Sequence, residues 1–356
     1  MKSVVDLFCD MVRVDSESGN EASFVQYARE LLEGEFGASC ELDAYGNLVA
    51  HVNAVDSRAD PVALCAHADT VKPGIGIDPF VEDGVVRSAG ETILGADDKA
   101  GLAEIIEAIR TAKRHPAVDV VLTLGEEVGL LGARNLDLAR LRAKTAFVID
   151  GEFLHDVVIG GPTHILLDIT VVGRAAHAGM EPEKGISAIR VTAAAIARMP
   201  EGRIDPETTA NVGIIEGGMI RNGVPERCTV KAECRSLDHD KAIAQAKAIR
   251  EAFEAAALKA GARVEIEETI AYEARAIDEG AAVVQTALAA VRSAGLDPVA
   301  KTITGGTDAL ILCNRGIDAV VLGTGVRDAH ATSEHVTVSD LETASAILRN
   351  LLESLA

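Results

Sequence analysis

The chain has 356 residues and carries 34 Lys and Arg against 55 Asp and Glu, a formal charge of −21. That balance argues against nucleic acid, whose binders win affinity by neutralising phosphates, and against docking on anionic lipid; with no Trp, three Tyr and seven Phe, aromatic cages and base-stacking platforms are not expected either. A content of 48% hydrophobic and 25% charged residues is that of a folded globular chain, and at ~150 residues per domain the length allows about two domains.

Val4, Leu7, Phe8 and Met11 repeat with helical spacing, so residues 2–14 read as a helix. Asp6 and Asp10 break any apolar run there, and a signal peptide is not expected. A second helix is predicted over 20–33, then a Gly46–Asn47 turn between two short strands, and a strand at Val62–Ala66. Residues 99–113 are helical, with Leu102, Ile105, Ile106 and Ile109 on one face, and Val118–Leu124 and Thr145–Ile149 are β-rich. Strands alternating with helices imply a sheet covered on both faces. The middle of the chain differs: strand His164–Val172, helix Gly185–Met199, strands Thr208–Ile215 and Arg227–Ser236, helix Asp240–Ala260, strand Arg263–Thr269. The order β-α-β-β-α-β is the split, ferredoxin-like pattern. Past Tyr272 the alternation resumes, with a helix at 279–294, a strand at Ala319–Leu322 and a helix at 339–354. The reading is a discontinuous domain, 1–163 with 273–356, and a smaller α+β domain, 164–272, inserted into it. No apolar run approaches the ~18 residues of a membrane span. None of the six cysteines forms a C-x-x-C pair, which points to reduced, buried thiols in a cytoplasmic protein.

Five stretches offer chemistry, four of them at strand ends. His67 and Asp69 are two apart and share a face on a strand, so Asp69 could orient a metal-binding His67; a core His–Asp hydrogen bond fits the same spacing. Asp97 and Asp98 precede a helix, where Asp97 reads as an N-cap and Asp98 as a first-turn acid, or the pair as ligands. Glu126 and Glu127 follow a strand; consecutive side chains there point apart, so one could bind a metal while the other faces a bound water, and a solvated turn fits as well. Asp150 ends another apolar strand, and His330 and His335 follow a Gly-rich loop. In open α/β sheets, ligands bind off the carboxyl ends of strands. Imidazole with carboxylate suits zinc. Two His and three carboxylates exceed one tetrahedral site and suit two metals sharing a bridging carboxylate, with the spare glutamate as general base.

At these residues the sequence resembles the di-zinc exopeptidases that include peptidase T, the glutamate-releasing carboxypeptidases and the aminoacylases, and most of all peptidase T and its shorter relatives. The resemblance runs from His67 to His330 in motifs and over essentially the whole chain in domain order. It implies an α/β fold: a mixed-sheet zinc-peptidase catalytic domain with an inserted ferredoxin-like lid and dimerisation domain. It implies two Zn²⁺ per chain, with Co²⁺ or Mn²⁺ as substitutes. His67 and Asp150 would hold one ion, Glu127 and His330 the other, and Asp97 would bridge them, followed by a cis peptide. His335 is the rival to His330, which is preferred because an acid, Glu334, stands four residues after it. Asp69 would orient His67, and Glu126 would be the general base. In the inserted domain, His177 of Gly173-Arg174-Ala175-Ala176-His177 would stabilise the oxyanion, often in the partner subunit's site. Asn211 and Arg235 would contact substrate, Arg235 through its carboxylate. Arg235 as an ion-pair partner at a strand end, and His177 as a loop histidine, remain open. Gly306, in Gly305-Gly306-Thr307-Asp308-Ala309, would wall the scissile group. The implied activity is exopeptidase cleavage of short peptides, as a tripeptide aminopeptidase and a homodimer. The rivals are deacylation of N-acyl amino acids, a catalytically silent binding protein of the same fold and, last for want of basic residues, a dinuclear phosphohydrolase.

Overall fold

The first helix, Val4–Val12, begins with a reciprocal cap: the Ser3 hydroxyl accepts from Asp6 N at 3.1 Å and the Asp6 carboxylate accepts from Ser3 N at 3.2 Å. Val4, Leu7, Phe8, Met11 and Val12 bury one face of it. A second helix, Ala22–Phe36, stops at Gly37, whose φ of 61° lies in the left-handed region. The computed structural model describes residues 2–356, and they divide into two compact units.

The first unit runs through Gly160 and resumes over Ala276–Thr302 and Thr307–Ala356. Its mixed sheet has four parallel strands side by side: Val118–Thr123, Val62–His67, Thr145–Gly151 and Asp318–Gly323. On one side Leu48–Val52 runs antiparallel to them and pairs in turn, antiparallel, with Ser39–Leu42; on the other side Asp156–Gly161 runs antiparallel to Asp318–Gly323. Both faces are buried. Leu64, Ala66, Val120, Leu122, Phe147 and Ile149 join one core with the helices Ala96–Thr111 and Val338–Leu355, while the alternate residues Ala63, Cys65, Val121 and Val148 are equally enclosed. All four parallel strands therefore end, in the same sense, at one edge of the sheet.

The hairpin Pro79–Glu82 and Val85–Ser88 was not expected from the sequence. Its Asp83-Gly84 turn, with both φ positive at 48° and 76°, is the tight turn that suits antiparallel strands. The strands Asp156–Gly161 and Val299–Thr302 and the short helix Asp308–Asn314 were not anticipated either, being too brief to establish a period.

The second unit, Gly161–Arg275 with Ile303–Gly306, is an antiparallel sheet in the order Gly202–Asp205, Thr208–Gly217, Arg227–Ser236, Thr163–Val172, Arg263–Tyr272. Its four long strands have the ferredoxin-like arrangement. Ile165, Leu167, Ile169 and Val171 meet Val191, Ala195, Ile249 and Phe253 of the helices Ala188–Ile196 and His239–Ala260 in a core of its own, and the alternate residues Leu166 and Asp168 are exposed. The first and last strands of the insertion pair with each other, His164 opposite Tyr272, so the segment enters and leaves at one place. Against the expected limits, the unit starts at 161 and ends at 275, and Ile303–Gly306, expected in the larger domain, groups with the smaller one. Among the described residues no helix is long and apolar enough to cross a membrane, and the six cysteines are free thiols.

Candidate active site

His67 is the last residue of its buried strand, where its imidazole leaves the sheet edge. Nδ1 donates to the main-chain carbonyl of Asp69 at 2.9 Å, which turns Nε2 toward Asp97 Oδ1 at 3.0 Å and Asp150 Oδ1 at 3.7 Å. The Asp69 carboxylate, expected to orient this ring, lies 3.5 Å from the same Nδ1. Asp97 does not cap the following helix. Gly95, left-handed at φ 67°, is the cap residue, and Asp97 is non-helical at φ −80°, ψ 102°. Capping falls instead to Asp98, whose Oδ1 accepts from Gly101 N at 3.2 Å while Oδ2 accepts from His67 N at 3.1 Å. The Asp97–Asp98 peptide is cis, as the resemblance implies.

Glu126 and Glu127 lie on a turn beyond the strand end at Thr123, with Gly125 at φ 60°. Strand alternation does not apply there. Both carboxylates converge on His67, one oxygen from each within 4.8 Å of its ring nitrogen and of each other. Opposite them, on the loop after the Asp318–Gly323 strand, His330 has φ 66° and places Nε2 2.8 Å from Glu127 Oε1 and 3.3 Å from Asp97 Oδ2. His335 turns away, its Nδ1 at the Ser333 carbonyl, 3.0 Å, and its backbone paired with Arg87. Two sets of donors thus share one carboxylate: His67, Asp97 and Asp150, and Asp97, Glu127 and His330. A pocket of ≈ 340 Å³ opens beside Asp97 and Asp150, lined also by Glu152, Thr324 and Asp328.

A family model described as a peptidase dimerisation domain matches residues 163–261, and one for peptidase family M28 matches residues 47–171. Peptidase T of an Exiguobacterium species is 30% identical over 79% of this chain and 69% of that protein. Among solved structures, the aminopeptidase PepT of Bacillus cereus is 37% identical, with a TM-score of 0.87 over 99% of this chain and 98% of that one. A tripeptidase of Staphylococcus aureus is 33% identical, with a TM-score of 0.93 over 99% and 97%. The chain belongs to the peptidase T-like M20 metallopeptidases. As a member of that family it is a hydrolase and a metal-dependent exopeptidase.

The donor set fits divalent cations. Glu127 Oε1 is buried without a hydrogen-bond partner, because His330 Nε2 is close to it but not aligned for a bond. Such crowding of carboxylate and imidazole lone pairs is relieved by a cation between them. The protonation equilibria show the same crowding. Burial, reinforced by neighbouring acids, pushes the Glu126 and Asp150 carboxyls well above the usual range. Burial works in the same direction on Asp97, but His330 and His67 outweigh it and hold that carboxyl low. Asp97 and Glu127 in turn raise His330 to about 10.

Other buried acids frame the peptidase site without facing the pocket. The Glu334 carboxylate accepts from Gly95 N at 2.7 Å and Asp97 N at 3.0 Å, tying the His330 loop to the Asp97 turn. Asp308 accepts from the Thr123 hydroxyl at the end of the central strand, and burial raises it to about 6. The sequence flagged Glu334 only as a spacing marker and Asp308 only within a glycine-rich stretch; hydrogen bonds across more than 180 residues leave no local pattern.

His177, Asn211, Arg235 and Gly306 belong to the second unit. There His177 Nδ1 accepts from Gly179 N and Met180 N, each at 3.2 Å, in an exposed turn. Arg235 Nη2 lies 3.1 Å from Glu233, which also meets His164 at 2.6 Å, so Arg235 has an ion-pair partner on its own strand. Asn211 stands opposite Glu233 in the sheet register.

Proposed function

We propose that this chain is a two-zinc aminopeptidase that removes the N-terminal residue of short peptides, tripeptides foremost. The observation that carries the reading is the Asp97 carboxylate shared by two complete donor sets. His67 and Asp150 would hold one ion and Glu127 and His330 the other, with Asp97 between; Co²⁺ or Mn²⁺ would substitute. Bound there, the ions would supply Lewis acidity toward the scissile carbonyl and the attacking water. Glu126 takes the proton of that water and returns it to the leaving amine. His177 hydrogen-bonds the developing oxyanion, in its own or a partner subunit's site. Arg235, released from Glu233, pairs with the substrate carboxylate; Asn211 contacts the peptide, and Gly306 walls the scissile group. The direction of cleavage is supported by the pocket lining. Beyond Asp97 and Asp150 it carries Glu152 and Asp328 and no cation, which suits a free amino terminus better than a carboxylate. The name of the Staphylococcus aureus relative supports tripeptides, and the dimerisation domain supports a homodimer. Six free thiols and the acidic charge are in keeping with the cytoplasm.

The test is a panel of tripeptides, dipeptides and N-acyl amino acids with zinc-reconstituted protein. Tripeptides are expected to be cut fastest, from the amino end; preference for acyl amino acids overturns the substrate reading. Glu126→Gln should lower turnover by at least about 10²-fold while metal content stays at about two ions per chain. Full activity in that variant removes Glu126 from the mechanism.

A further inference from the structure

We propose that Asn47 is a positioning residue for the active site: its side-chain amide closes the neck of the loop that carries Glu126 and Glu127. The inference rests on the roles proposed for those two glutamates. The loop leaves the strand Val118–Thr123 at Leu124 and returns at Gly132, where Gly132 N donates to Leu124 O at 2.7 Å. Further in, Leu131 N donates to Gly125 O and Leu130 N to Glu126 O, so the backbone of the loop is tied from the neck inward. Main-chain pairing with the neighbouring strand Leu48–Val52 reaches only Leu122, opposite Leu48. Beyond that point the neighbouring chain reverses through the Asp43–Asn47 turn, and the Asn47 side chain takes the place of its backbone. Oδ1 accepts from Leu124 N at 3.1 Å, and Nδ2 donates to Gly132 O at 3.0 Å. One amide thus bonds to both sides of the neck, with the acceptor and the donor of a peptide group. Asn47 is wholly buried, and Nδ2 gives its other hydrogen to Asp43 Oδ2 at 2.8 Å, which sets the end of the amide that faces each side. Asp43 is fixed in turn, because its Oδ1 accepts from Tyr45 N at 2.9 Å, Gly46 N at 2.9 Å and Asn47 N at 3.0 Å. Gly132 completes the fit. A Cβ there would stand 2.4 Å from Leu124 N and 2.6 Å from Asn47 Oδ1, so only glycine lets the amide and both sides of the neck come together. Glu126 follows Leu124 by two residues, and the direction in which the chain leaves the neck sets where both glutamates point.

Asn47→Ala removes both bonds to the neck and leaves every donor of the cluster in place. The first readout is calorimetric titration of the metal-free full chain with Co²⁺ in two backgrounds. His67→Ala keeps the Asp97, Glu127 and His330 donors, and His330→Ala keeps His67, Asp97 and Asp150. In the His67→Ala background, Asn47→Ala is expected to weaken Co²⁺ about 10–100-fold, the usual range for a group behind a ligand, and in the His330→Ala background to change it by less than about threefold. A general loss of stability would lower both alike. Equal loss in both backgrounds, loss confined to the His330→Ala background, or no loss in either overturns the proposal. Glu127→Gln in the His67→Ala background is the control: unchanged Co²⁺ affinity there removes Glu127 as a ligand, a failure of the underlying reading and not of the closure by Asn47. The second readout depends neither on that reading nor on the folding of a variant. In the unsubstituted protein, amide hydrogen exchange followed by NMR is expected to show the Leu124 N–H protected to within about tenfold of Val120 and Val121 in the strand before it. Exchange at Leu124 faster than that overturns the closure.

Discussion

Asp97 and Asp98 show how far adjacent identical side chains diverge once the backbone leaves helical geometry. One faces two imidazoles, and the other caps the helix and accepts from His67 N. Nothing in the pair of letters says which does which. His330 and His335 pose the same problem, and the left-handed backbone at His330 settles which ring reaches Glu127. Glu233 is the residue with a clear stability signature in the smaller unit. The hydrogen bond from His164 is the largest influence, and with Arg235 it outweighs burial and holds the carboxyl at about 2, against an ordinary value of 4.5. A lowered carboxyl contributes stability above its unfolded pKa and loses it as pH falls toward the folded one. Glu233→Gln is therefore expected to destabilise the protein at neutral pH, with the difference fading between about pH 4.5 and 2, followed as urea midpoints across that range. A difference that persists undiminished to pH 2 would show that the carboxylate charge is not what matters.

At the scale of elements, the long periodic segments were legible and the connections were not. The four parallel strands were all expected from their apolar runs, because burial on both faces leaves few polar letters. The Pro79–Ser88 hairpin was missed although Asp83-Gly84 between apolar pairs is a strong turn signal. Glu126 and Glu127, both implied at the site by the resemblance, do not point apart as strand alternation would have them, because the strand ends at Thr123 and they lie on the turn beyond it. Helix Ala96–Thr111 owes its position to Gly101. A Cβ there would stand 2.2 Å from the Ile149 carbonyl and 2.4 Å from Asp98 Oδ1. Ala for Gly inside a helix ordinarily gains up to ~1 kcal/mol, but a strand carbonyl cannot move aside, and overpacking costs ~1–3 kcal/mol or more. Gly101→Ala is expected to lower the denaturation midpoint and the metal content together; an unchanged midpoint would mean that the helix can lift off the strand at little cost.

For the whole molecule, the insertion is the organising feature. Its terminal strands pair with each other, so its long segment, Gly161–Arg275, leaves and rejoins the chain at neighbouring strands, and each unit keeps its own core. Residues 161–275, produced alone, are expected to fold cooperatively, seen as a single steep urea transition with native-like circular dichroism. A broad, non-cooperative transition would show that the Ile165–Phe253 core depends on the rest of the chain. The excess of 55 acids over 34 bases belongs to this scale too. Only a few of those acids stand at the cluster, so the charge is mostly a surface property and bears on solubility and partners more than on the fold.

By itself the sequence determined the family, the alternation of strands and helices, the ferredoxin-like insertion and the set of acids and histidines available at the strand ends. It could do so because burial writes periodic patterns and because residues at strand ends stand beside those patterns. The tertiary structure decided how these groups meet: His330 Nε2 stands 2.8 Å from Glu127 while His335 turns away, Asp97 faces both imidazoles while Asp98 caps the helix, and both glutamates converge on His67. It also decided that the Asp69 carboxylate, 3.5 Å from the His67 ring, bonds to the glutamate turn as well. Those choices depend on left-handed backbone at single residues and on hydrogen bonds between segments far apart in the chain, and neither leaves a trace in local spacing.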